Sequence, residues 1–151
     1  MPRIIKKPGD VLKFPLSAAG HHAYAQWLSD GTARIFLAAN IAELSVDEVM
    51  ALPVAFRVVV FNDTPNRYGW AKIGRAAIPE EFAKPQHYAK KDCISGKLSI
   101  YFEGVEMPAT PDELRGLETC AVWAHPHIVE RLEAQLEGRK SKFLKSIEVV
   151  V

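Results

Sequence analysis

The chain has 151 residues, 48% hydrophobic and 25% charged, and its 19 basic and 18 acidic side chains leave a formal net charge of +1. That length suits a single domain that buries about two-thirds of the surface its unfolded form exposes, and the composition excludes a disordered chain. The charge balance excludes a whole-molecule field that would draw the protein onto nucleic acid or an anionic membrane.

In Pro8-Gly9-Asp10-Val11-Leu12-Lys13-Phe14-Pro15-Leu16, the residues Asp10, Leu12, Phe14 and Leu16 recur at a period of two, with Val11 and Lys13 opposite. This predicts a strand buried on one side, with Pro15 at an edge position. Ser17-Ala18-Ala19-Gly20 reads as a turn, residues 22–28 as a second strand, and Ser29-Asp30-Gly31-Thr32 as a hairpin turn built on Asp-Gly. Residues 34–38 complete a three-stranded meander. Ser45 and Glu48 have the spacing of a capping box, with Leu44 and Val49 placed to staple it, and Leu52-Pro53 keeps the helix short. Residues 54–61 are almost continuously apolar and β-branched, which predicts a strand covered on both faces at the centre of the sheet. After a turn at residues 62–66, residues 70–78 return as its partner, with Gly74 marking a bulge or bend.

Pro79 opens one helical turn that reaches Phe82, and residues 83–96 read as irregular. Alternation resumes over residues 97–102, with Leu98, Ile100 and Phe102 inward. Thr110-Pro111-Asp112-Glu113 joins a cap residue, a first-turn proline and a capping-box glutamate, and Gly116 suggests an early stop. Ile128, Val129, Leu132 and Leu136 form the apolar stripe of the longest helix, which Gly138 ends. Residues 146–151, Ser-Ile-Glu-Val-Val-Val, have the β propensity of a last strand that must pair within the chain or with a partner. The fold class that follows is α+β: a curved, mainly antiparallel sheet, in one version a partly open barrel, with a few short helices and a longer C-terminal one, all in a single domain over residues 1–151.

Chemistry is sparse. Cys93 and Cys120 have no CxxC spacing, and the setting of Cys120 between Thr119 and Ala121-Val122-Trp123 is that of a small hydrophobe. His21, His22, His87, His125 and His127 lack metal-ligand spacing, so no metal or cofactor is expected. A hydrolase can be drawn from Cys120, His125, His127 and Glu118, but no nucleophile elbow, phosphate loop or paired-carboxylate signature supports it. The aromatic residues Tyr24, Trp27, Tyr68, Trp70, Tyr101 and Trp123 read as core positions, some of them available as anchors for a partner.

Two charge clusters stand out. Between positions 103 and 118 there are five acids, Glu103, Glu106, Asp112, Glu113 and Glu118, against the single base Arg115; between positions 139 and 145 there are four bases and no acid. Both suit a solvated surface. The functional alternatives are an acidic partner-binding face and a phosphate contact through Lys140, Lys142 and Lys145 on a bent-barrel nucleic-acid-binding module. No segment approaches the ~18 to 20 apolar residues of a membrane span, and the basic N-terminus lacks the apolar stretch of a secretory signal. Cytoplasmic residence is the expectation.

Pro8-Gly9-Asp10-Val11 with Phe14-Pro15-Leu16, residues 56–60, Trp70 with Ile73-Gly74, Leu117-Glu118 with Ala121-Val122-Trp123, and Glu130-Arg131-Leu132 together resemble the immunity protein 26 family of bacterial polymorphic-toxin systems. The resemblance spans residues 8–132, and its motifs are framework positions. It implies a non-enzymatic cytoplasmic protein that neutralises a cognate toxin domain by direct non-covalent binding. It brings no catalytic residues, and it puts functional contacts on other surface positions, for which Glu103, Glu106, Asp112, Glu113 and Glu118 are the first candidates.

Overall fold

A computed structural model describes residues 3–149. Among them are ten strands: β1 (Asp10–Pro15), β2 (His22–Trp27), β3 (Thr32–Phe36), β4 (Val54–Val60), β5 (Ala71–Arg75), β6 (Tyr88–Lys91), β7 (Leu98–Phe102), β8 (Val105–Pro108), β9 (Glu118–Thr119) and β10 (Val122–Trp123). The helices are α1 (Val46–Met50), α2 (Thr64–Arg67), α3 (Pro111–Leu114), α4 (His125–Leu136) and α5 (Lys142–Ile147), with a 3-10 turn at Glu80–Phe82. The class is α+β. Six strands form a sheet in the order β10-β4-β3-β2-β1-β5, and four form a second sheet in the order β8-β7-β6-β9. The end strands β10 and β5 are not paired with each other, so the large sheet is not a closed barrel.

The meander forms as its turns dictate. Gly31 takes φ +84°, Leu28 donates to the Thr32 carbonyl, and Asp30 accepts from the Thr32 amide and hydroxyl. Yet β1 is not an edge strand and is buried on both faces. It lies between β2 and β5, and Val11 is buried with Tyr24, Phe36 and Val49 while Leu12 and Phe14 face the opposite core. Leu16 donates to His21 across the β1–β2 pair. The Pro15 nitrogen therefore faces the β5 side, past the last paired residue, Lys13 opposite Ala71, where a missing N–H costs nothing.

Two placements differ from the sequence reading. The strand over residues 54–60 lies one place from the edge, between β3 and β10, with Phe56, Val58 and Val60 buried and the intervening side chains partly exposed. The central strands are β2 and β3, in which every residue is buried. The second is β5, which pairs with β1 rather than with β4. Its lead-in explains the crossing: Trp70 stacks on Phe14 at 4.6 Å and on Trp27 at 6.1 Å, which draws the chain across the core face to the far edge.

Gly74 does sit at a bulge, where Val11 pairs with Gly74 and Leu12 with Lys72. A Cβ there would lie 2.6 Å from Val46 Cγ2, so the glycine also lets α1 approach the sheet. The capping box of Ser45 and Glu48 starts α1 as expected.

One face of the large sheet packs on α4 and α5 through Ile128, Val129, Leu132, Phe143 and Leu144. The other carries Val11, Tyr24 and Phe36 under α1. In α4 the stripe turns slightly from its expected position: Ala134 is buried, while Leu136 is 41% exposed. Where a last strand was expected, residues 146 and 147 end α5. The Ser141 hydroxyl accepts from the Leu144 amide and Glu130 accepts from the Phe143 amide, and these two caps outweigh β propensity. Residues 150 and 151 of that expected strand lie outside the described residues.

The second sheet occupies a region read largely as irregular. β6 lies within residues 83–96 and draws its stability from pairing with β7 and β9. The residues expected to point inward, Leu98, Ile100 and Phe102, are only partly buried.

Candidate interaction surface

The five acids identified from sequence fall on the small sheet and on α3, and they do different jobs. Glu103 occupies the two-residue turn between β7 and β8 with φ +49°, followed by Gly104 at φ +82°. Both central residues are left-handed, as a type I′ hairpin requires. Glu106 on β8 forms an ion pair with Lys90. Asp112 is exposed and pairs with Arg115 at 2.9 Å, while Glu113 accepts from the Thr110 amide and closes the capping box of α3. Glu118 differs from the rest, since it is bound by Arg131 through both carboxylate oxygens, with the two side chains only 15% and 11% exposed. Its carboxylate is thus taken up by Arg131 within the framework, and little of the side chain is left at the surface.

Ala109 donates to the Leu98 carbonyl. Counting back by twos, Met107 and Val105 also direct their backbone groups toward β7, while Glu106 and Pro108 direct theirs outward. The free edge of β8 therefore offers one N–H, that of Glu106, because Pro108 has none. This arrangement blunts unspecific strand pairing. Register places Ile100 opposite Met107 and Phe102 opposite Val105, so these four apolar side chains share one face. Val105 is 59% and Met107 52% exposed. Sequence reading missed this strip because β8 is short and contains proline and glutamate; the signal available was the alternation of Val105 and Met107 behind Glu103-Gly104.

A cleft of about 410 Å³ opens beside the β7–β8 turn, lined by Asp30, Val59, Gln86, Tyr88, Tyr101 and Glu103 among others. Gln86 is fixed by its amide donating to Asp30 and its side-chain nitrogen donating to the Arg57 carbonyl. Burial disfavours the Asp30 carboxylate, but hydrogen bonds from Thr32, the charge of Arg57 and the Gln86 amide outweigh it and hold the pKa below its usual value. Burial, and then the nearby Asp30 charge, push the Tyr88 phenol well above its ordinary pKa, so it stays protonated.

The residues of the drawn hydrolase are not brought together. The His125 Nδ1 accepts from Trp70 Nε1 at 3.0 Å, and its ring stacks on Tyr68. His127 packs on Phe143 and Glu118 is taken by Arg131. Cys120 shares a different cleft with Cys93, and burial pushes its thiol pKa up. Among the described residues no group of three or more His, Cys, Asp or Glu side chains is placed to hold a metal ion. In the basic run, all four cations are exposed; Arg139 pairs with Glu130 and Glu137, and Lys140 with Glu148, while Lys142 and Lys145 have no ion-pair partner among the described residues.

One buried charge escaped the sequence reading. Arg34, 4% exposed, donates to Gln26 Oε1 at 2.8 Å and lies between the rings of Phe36 and Phe82. An arginine inside a meander gives no advance sign that two aromatic rings will cover it.

Among the described residues no helix is long and apolar enough to cross a membrane. No protein-family model matches this chain, and neither a curated protein nor a solved structure matches it.

Proposed function

We propose that this chain is a bacterial immunity protein that acts in the cytoplasm, without chemistry of its own, by binding and blocking a cognate toxin domain. The contact surface in this reading is the β7–β8 hairpin with α3, the segment that carries Glu103, Glu106 and Asp112 and the exposed Val105 and Met107. The observation that carries it is the exposed apolar pair Val105 and Met107 on β8, a strand paired along one edge only, with Glu106 on the opposite face of that strand. The resemblance to immunity protein 26 supports it from another direction. Its residues build the framework: Gly9 at φ +93°, Asp10 beside Lys72 and Arg75, Phe14 on Trp70, and Glu118 on Arg131. The exposed side chains of the hairpin are not among them.

The test is co-expression with the C-terminal domain of a secreted toxin encoded in the neighbouring reading frame. A stable complex and restored growth are expected. Charge reversal at Glu103, Glu106 and Asp112 should slow association at low salt by at least tenfold, with Glu113 left in place because it caps α3. A folded protein that neither binds nor protects would overturn the reading, and unchanged association kinetics in the folded triple variant would remove this surface.

A further inference from the structure

The cleft beside the β7–β8 turn has a surplus of acceptors and negative charge. Tyr88 is 8% exposed, and its hydroxyl makes no hydrogen bond to any described residue. The Gln86 Oε1 is buried without a donor, although the rest of that side chain is held in place. Glu103, at the mouth, has no cation within ion-pair distance among the described residues. The charges already present cancel one another. Asp30 is met by Arg57 at 2.9 Å, Arg57 also donates through Nε to Thr32 and through Nη2 to the Lys84 carbonyl, and Lys90 is met by Glu106. What the cleft lacks is a group that brings both donors and positive charge.

We propose that this cleft receives an arginine side chain of a protein partner, its guanidinium donating to the Glu103 carboxylate and the Tyr88 hydroxyl. Guanidinium fits better than ammonium because it is planar, is weakly hydrated, and presents donors in several directions, enough for more than one of the acceptors that line the cleft. Its alkyl stem has Val59, Ala83 and Pro85 to lie against. The inference rests on the toxin-binding reading only for the identity of the partner; the chemistry of the cleft is separable from it. A free guanidinium compound carries the same recognition groups, so the test must tell the two sources apart.

The experiment is a titration of the full chain, isotopically labelled and followed by two-dimensional NMR, with Nα-acetyl-arginine N-methylamide, its neutral citrulline counterpart, and agmatine. Expected are saturable shifts confined to residues 29–30, 59, 83–88 and 101–104 with the arginine probe, and none with citrulline. Affinity should fall at least threefold in Glu103→Gln and in Tyr88→Phe, both with spectra of a folded protein, and should fall as salt rises. Absence of saturable shifts, or equal binding of the citrulline probe, would overturn the cation site. Agmatine bound ten times more tightly than the arginine probe would overturn the protein-partner assignment, whereas equal or weaker binding supports it. No toxin is needed, so failure here and failure of the co-expression test are read independently.

Discussion

Arg131 on α4 binds Glu118 on β9 through two parallel contacts, and its guanidinium lies 4.2 Å from the centre of the Phe56 ring and 4.9 Å from that of Trp123. One side chain thereby connects the small sheet, the long helix and the large sheet. Such a pair costs desolvation when formed and much more when half of it is removed.

Arg131→Ala and Glu118→Ala are each expected to destabilise the fold by about 3 kcal/mol, since each leaves a charge without its partner in a largely buried site. Arg131→Lys should recover only part of the loss, because an ammonium cannot reproduce the two-pronged contact or the position over both rings. Replacing both residues by apolar ones of similar volume should cost less than either alanine variant. Urea unfolding of the four proteins checks this, and strictly additive losses would argue that the pair is uncoupled.

Glu130 accepts from the Ser141 hydroxyl, the Phe143 amide and Arg139. Partial burial opposes its charged form, but these donors prevail and bring its pKa down to about 2. Because this folded-state value lies below the ordinary 4.5, the stabilisation is complete above that pH and is lost as pH falls toward 2. Glu130→Gln should therefore cost about 1 to 2 kcal/mol at pH 7, allowing for solvent screening. The gap from wild type should narrow steadily below pH 4.5. Denaturation curves at pH 7, 4 and 2.5 measure it, and a gap that does not depend on pH would contradict the assignment.

Gly74→Ala places a methyl group against Val46 Cγ2, at a contact distance of 2.6 Å that packing does not tolerate. A loss of about 2 kcal/mol is expected. Val46→Ala in the same chain removes the obstructing methyl and should return at least half of it. Thermal melts of the single and double variants decide, and a double variant less stable than Gly74→Ala would show that the clash is not the cause.

Glu103 holds a left-handed conformation at a position where a type I′ turn favours asparagine. Glu103→Asn should raise stability by about 0.5 kcal/mol while weakening capture of a basic partner, which separates the residue's contribution to binding from its effect on the fold. A variant less stable than wild type would mean that the glutamate carboxylate itself supports the turn.

Elements marked by local chemistry were readable in advance. The capping boxes at Ser45-Glu48 and Thr110-Glu113, the Asp-Gly hairpin and the stop at Gly138 each depend on residues within four positions of one another. Pairings between distant segments were not. Nothing in residues 70–78 shows that they join β1 rather than β4, since that choice depends on the contact of Trp70 with Phe14 and Trp27. The candidate site divides in the same way. The acids were visible as a cluster, but their availability was not, because the partners of Glu106 and Glu118 lie 16 and 13 residues away, at Lys90 and Arg131.

From composition and spacing come the fold class, the helix starts and stops, the tight turns and the lack of a strong catalytic motif, all of which follow from short-range backbone preferences and the periodicity of apolar side chains. The order of strands, the replacement of a final strand by α5 and the cleft between Tyr88 and Glu103 come from the folded arrangement. They depend on long-range packing and on which polar groups are left without partners once the chain has closed on itself. Among the five acids, that arrangement places Glu118 in the framework and sets Glu103 at the mouth of an open cleft.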